Sequence, residues 1–190
     1  MSAGHSATGE AARYLAQAEA AEYAATMARK MHRNYLAGAA GERRLADLMR
    51  PLVEQNYYVL ADRCWPGSST ANVDFIVVGP SGVFLMDAKA WGEVSIQNGR
   101  VFQGQDDVTE RFENFASLRE ITEVALAEVG IAPGEIKLAA IFMGQQGMGK
   151  DSMGKDGHNR ITSGAASDID LVSEDRAIRY LLVSCAGSSL

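Results

Sequence analysis

The stretch "NVDFIVVGPSGVFLMDAKAWG", Asn72 to Gly92, constrains this chain more than any other. Two runs rich in Val, Ile and Phe flank Gly79-Pro80-Ser81-Gly82, the pattern of two strands joined by a tight turn. A chain with this hairpin builds a sheet. The hairpin also carries Asp74 near its start, and Asp87 and Lys89 where its second strand ends. Asp is depleted from strands, so these polar residues ask for a chemical reason.

Geometry supplies one. Asp87 and Lys89 are two apart on a strand, so they share a face. A two-residue turn at Pro80-Ser81 pairs 79 with 82 and, counting outward, sets 74 against 87, with the two side chains about 5 Å apart. A three-residue turn shifts the register by one and separates them. Two close carboxylates repel unless a proton or a cation sits between them. Mg²⁺ takes hard oxygen ligands and keeps several waters. It polarises a phosphodiester and lowers the pKa of a bound water, while a neighbouring Lys stabilises developing negative charge or orients that water. Asp74, Asp87 and Lys89 on one face therefore suit a metal-dependent phosphodiesterase. The competing reading makes all three polar strand ends at the sheet edge.

The rest of the composition sets bounds. A chain of 190 residues, 47% hydrophobic and 22% charged, is long enough for one domain plus an appendage with a real core. Cys64 and Cys185 suggest neither a disulfide framework nor a metal-ligand spacing, which points to a reducing cytoplasm. No apolar run reaches membrane-spanning length, and the first residues lack the basic start and apolar core of a signal peptide. The net charge of −6 is not the footprint of bulk attraction to nucleic acid. It is compatible with an enzyme that grips phosphate through a metal held by carboxylates.

Residues 1–8 are small and polar and are expected to fray. Glu10 to Leu36 is Ala-rich and free of Pro and Gly, which favours helix. Ala20, Tyr23, Met27, Met31 and Tyr35 form one stripe, expected to pack on its own domain, with a dimer or partner helix as the alternative. Arg29, Lys30, His32 and Arg33 read as a solvated basic cluster. Gly38 and Gly41 are expected to break the helix, and a second one begins near Glu42 and stops near Pro51. "YYVLADR" is a candidate first strand, and Asn98-Gly99 marks a second hairpin. A helix is expected over Val108–Val129, with Phe112, Phe115, Leu118, Ile121, Ala125 and Val129 inward and Gly130 as its cap. "IKLAAIFM" is a buried strand, 144–160 a mobile loop, "IDLV" a short strand, and Ser173 the cap of a last helix. The order predicts a mixed sheet flanked by helices, an α/β sandwich.

"GQQGMGKD" imitates a phosphate-binding loop through Gly144, Gly149 and Lys150. Asp151 stands where a Ser or Thr hydroxyl would hold magnesium, and the following segment is a poor helix. No nucleotide is expected there.

"GAAGERRLADLMRPL" and "VDFIVVGPSGVFLMDAKAWGEV" together make a more specific pattern. It combines a Gly-Glu helix start, an Asp-bearing strand, a Gly-Pro-x-Gly-Val turn and a carboxylate-x-Lys strand end. Over roughly Ala37 to Ile131 the chain resembles the NERD (nuclease-related) domain of the PD-(D/E)XK nuclease superfamily. The resemblance implies a restriction-endonuclease-like α/β domain over 37–190, with residues 1–36 an added N-terminal helix. It implies that Asp74, Asp87, the carbonyl of Ala88 and Glu42 hold Mg²⁺ or Mn²⁺, and that Lys89 assists the attacking water. The implied substrate is nucleic acid, DNA before RNA, with no membrane partner. A non-catalytic nucleic-acid-binding or scaffold module is the alternative, and the N-terminal helix is a candidate for homo-oligomer or larger assembly. The chain departs from the family at Asp87, where Glu is usual. It departs also in "NFASLRE", which keeps Asn114 but has Phe115 and Leu118 where Pro and Gln are common, leaving Arg119 as a substitute contact.

Overall fold

The computed structural model describes residues 5–65, 72–128, 130, 136–144 and 158–183. The chain divides into two compact units, Met1–Ala39 and Ala40–Leu190. The described part of the first is a single helix. Helix α1 (His5–Met49) runs through it and gives its last turns to the second unit. Gly38 and Gly41 do not break it, contrary to expectation. A glycine inside a helix costs only about 1 kcal/mol, which a long Ala-rich helix absorbs. At Gly41 the missing side chain is also used, because a Cβ there would lie 3.2 Å from Met143 Cγ and 3.4 Å from the Ala90 Cβ. The stripe expected to be packed is exposed instead, at Tyr23, Met27, Met31 and Tyr35. The helix ends as Pro51 predicts, in a 3₁₀ turn (Arg50–Gln55) closed by a left-handed Asn56.

The second unit is built on a sheet. In chain order its strands are β1 (Tyr58–Cys64), β2 (Asn72–Gly79) and β3 (Gly82–Lys89), then β4 (Val94–Gln97), β5 (Arg100–Gln103) and β6 (Asp106–Asp107), then β7 (Ile136–Phe142), β8 (His158–Arg160) and β9 (Ile169–Ser173). Among the described residues, six of them form a sheet in the order β1-β2-β3-β7-β9-β8, and β4-β5-β6 form a separate small one. The β1-β2-β3 meander is antiparallel, whereas β3, β7 and β9 run parallel. The sheet is therefore mixed.

Alternation along the strands divides the core. Val83 and Leu85 join Leu138, Phe142 and the α2 (Glu113–Ala127) residues Phe115 and Leu118 in one cluster. Phe84, Met86 and Ala88 point the other way, to Leu45 and Met49 of α1 and to Ala177 and Leu181 of α3 (Ala177–Val183). Helices thus cover both faces, the predicted sandwich. Helix α2 is shorter than expected. A 3₁₀ turn (Thr109–Phe112) precedes it, and Ile121 and Ala125 are exposed, while Leu126 still packs against the cluster; Val129 lies outside the described residues. Gly130 caps it with a positive φ, its N–H donating to the Ala127 carbonyl.

The Gly-Pro-Ser-Gly turn is locked by Tyr57. A Cβ on Gly79 would fall 2.0 Å from the Tyr57 ring, so only glycine lets the ring lie there. The Tyr57 hydroxyl donates to the Leu181 carbonyl and accepts from Ser81 Oγ, 2.7 Å away. The second hairpin turns on Asn98 and Gly99, both at positive φ, as a two-residue Asn-Gly turn requires. Of the expected loop at 144–160, residues 158–160 form the edge strand β8, and the duplicated MGKD segment lies outside the described residues. Among the described residues no helix is long and apolar enough to cross a membrane.

Candidate active site

The register decides the geometry. Gly79 pairs with Gly82, and the ladder runs outward to Phe75 opposite Met86. This is the two-residue turn, and it leaves Asp74 and Asp87 as the next facing positions. Asp87 continues the face of Val83 and Leu85, the face that α2 covers. Asp74 reaches across the strand end, where its Oδ2 accepts the Ala88 N–H at 2.8 Å. On its other side the β1–β2 ladder skips a step. Ala61 pairs with Phe75 and Arg63 with Val73, while Asp62 between them is left-handed at φ 50°. A break of this kind beside a functional strand end loosens pairing and re-aims side chains.

Lys89 Nζ lies 2.5 Å from Asp87 Oδ2, and both side chains are mostly buried. Burial first, and the Asp87 charge second, push the Asp74 carboxyl up to about 7, against the Ala88 amide, which favours its charged form. Glu42 contributes a smaller push of the same sign, so it sits within electrostatic reach of Asp74. The last turns of α1 that carry Glu42 are held at this end of the sheet by Gly41 against Ala90 and Met143, and by the Arg44–Glu174 ion pair. Glu174 also accepts the Gly144 N–H just past β7.

Asp74, Asp87 and Lys89 line a cavity of about 490 Å³ together with Trp65, Asn72, Arg111, Asn114, Ser117, Leu118 and Ile121. The walls mix apolar surface with hydrogen-bonding groups. Trp91 organises the cations, with Lys89 Nζ and the Arg111 guanidinium each 5.5 Å from its ring centre. Trp91 itself packs edge-on to Phe112 and Phe142. Sequence reasoning missed Trp65, Trp91 and Arg111. Only Trp91 had a signal, lying two residues past Lys89. Arg119, the suggested substitute contact, points elsewhere. Its Nη2 donates to the Asp168 carbonyl, and it lines a separate cavity with Glu123, Arg160 and Asp170.

The donor set suits a hard divalent cation. Two carboxylates share one place, and of the two only Asp87 forms an ion pair among the described residues. The Ala88 carbonyl leaves the strand on the same edge as the amide that meets Asp74. Glu42 does not close a third carboxylate onto the pair. Among the described residues, no group of three or more His, Cys, Asp and Glu side chains is close enough to hold a metal.

A mixed sheet, covered by helices and ending in two carboxylates and a lysine beside a cavity, defines an α/β protein with a compact polar site. Residues 37–127 match the model of the nuclease-related domain, NERD. No curated protein and no solved structure matches the chain.

Proposed function

We propose that the chain is a metal-dependent nuclease that hydrolyses phosphodiester bonds, with DNA as substrate. Asp74 and Asp87 would hold Mg²⁺ or Mn²⁺, joined by the Ala88 carbonyl, with Glu42 oriented toward the metal's waters. The observation that carries this reading is the meeting of Asp74 and Asp87 at facing strand positions, with Lys89 against Asp87 and all three lining one cavity. When bound, the metal supplies polarisation of the phosphodiester and acidifies a water. Lys89 would orient that water or offset negative charge on the phosphate oxygens. Arg111 brings a second cation to the same cavity, and Asn114 and Ser117 add neutral hydrogen-bonding groups. Cys64 is free and exposed, in keeping with a reducing cytoplasm.

A second reading has its own support. The Asp87–Lys89 ion pair partly satisfies Asp87 without a metal, and no third carboxylate joins the pair among the described residues. On that reading the domain binds nucleic acid without cutting it. The deciding experiment incubates purified protein with plasmid and with linear single-stranded DNA in Mg²⁺, Mn²⁺ and EDTA. Cleavage in either metal that stops in EDTA is expected. DNA binding without cleavage under every condition leaves the binding module.

A further inference from the structure

The exposed stripe of α1 carries a pattern that a single helix does not need. Ala16, Ala20, Ala24, Met27, Met31 and Tyr35 follow one another at spacings of four, four, three, four and four. They lie on one side of the helix. That series reads the same in both directions, and size divides it in two. Its first half is Ala16, Ala20 and Ala24, with Tyr23 bordering its edge, and its second half is Met27, Met31 and Tyr35. All six side chains are exposed.

We propose that this stripe pairs with the same stripe of a second copy of the chain, antiparallel. Turned end for end, the partner sets Tyr35 against Ala16, Met31 against Ala20 and Met27 against Ala24, and every contact repeats about the two-fold axis. Large side chains meet small ones at each level, which lets two helices approach closely and fill the seam. A parallel pair would put alanine on alanine at one end and tyrosine on tyrosine at the other. From residue 16 to residue 35 the seam is roughly 29 Å long.

Charge selects the same direction. Glu19 and Glu22 lie in the first half of the stripe's span, and Arg29, Lys30 and Arg33 in the second. Glu19 and Lys30 border the same edge of the stripe, each with its like-charged neighbour, Glu22 or Arg33, three residues on. In an antiparallel pair that edge faces its own copy, so Glu19 meets Lys30 of the second copy, twice. In a parallel pair it faces the opposite edge, where Gln17, Ala21 and Ala28 offer no counter-charge.

The test uses the full chain with Cys64→Ser and Cys185→Ser. Gln17→Cys and Asn34→Cys are exposed polar positions that border opposite edges of the stripe and come to the same level across the seam in this register. A short thiol cross-linker is expected to join the two variants when mixed, and neither to itself. Self-linking of Gln17→Cys would show a parallel pair and overturn the proposal. So would sedimentation showing only monomer across the micromolar range. Glu19→Lys is expected to weaken the dimer roughly tenfold, and mixing it with Lys30→Glu to restore it. Failure of that restoration would overturn the register.

Discussion

At the scale of single residues, Asp74 makes two predictions. Its folded pKa lies above its unfolded one, so between about pH 4 and pH 7 the folded state holds a proton that the unfolded state has lost. Metal-free protein should therefore lose stability as pH rises through that window, by an amount on the order of a few kcal/mol. Asp74→Asn should flatten the trend, and melting at pH 5.5 and pH 8 in EDTA reads it directly. An unchanged slope in the variant would remove Asp74 as its cause. The proton also competes with a cation, so metal affinity should fall below pH 7. The neighbouring side chains should separate metal binding from chemistry. Asp87→Ala removes a negative ligand, so both metal affinity and cleavage should drop. Lys89→Ala removes a positive charge beside the metal, so affinity should hold while cleavage slows by about two to three orders of magnitude. Metal titration alongside single-turnover cleavage distinguishes them. Cleavage that survives both substitutions belongs to another site.

At the scale of elements, the hairpin was the most legible part of the chain. Asn98-Gly99 marked the second hairpin outright. The Gly79–Gly82 turn named its strands, but its length, and with it the facing of Asp74 and Asp87, is not written in those four residues and rests on the pairing of Gly79 with Gly82. Gly79→Ala should cost about 1–3 kcal/mol by urea unfolding, because the new methyl meets an aromatic ring that is itself hydrogen-bonded in place. A cost below half a kcal/mol would mean that the ring moves freely. Helix boundaries were less legible. Gly38 and Gly41 look like breaks, yet a glycine penalty is local while helix propagation is cooperative. The cation box around Trp91 was hidden for a different reason. Lys89, Trp91 and Arg111 meet only because the small sheet β4-β5-β6 turns the chain back toward the end of β3.

At the scale of the whole molecule, the net charge of −6 and the two cations lining the site cavity, Lys89 and Arg111, bear on how DNA is held. Few phosphates would be neutralised, so the slope of log affinity against log salt should be shallow, about −1 to −2. A steep slope would reveal a basic surface beyond this cavity. The topology also has a consequence in time. β1, β2 and β3 are neighbours along the chain and close locally, but the far edge of β3 pairs with β7, which arrives only after the small sheet and α2. Parallel pairing across such a span is slow to form. During synthesis the meander that already carries Asp74, Asp87 and Lys89 waits with one apolar edge unpaired. In that interval an encounter with another nascent chain competes with β7 for the same hydrogen bonds. Translation speed between residues 90 and 142, more than the strength of the finished fold, should then govern how much of this protein reaches its native state.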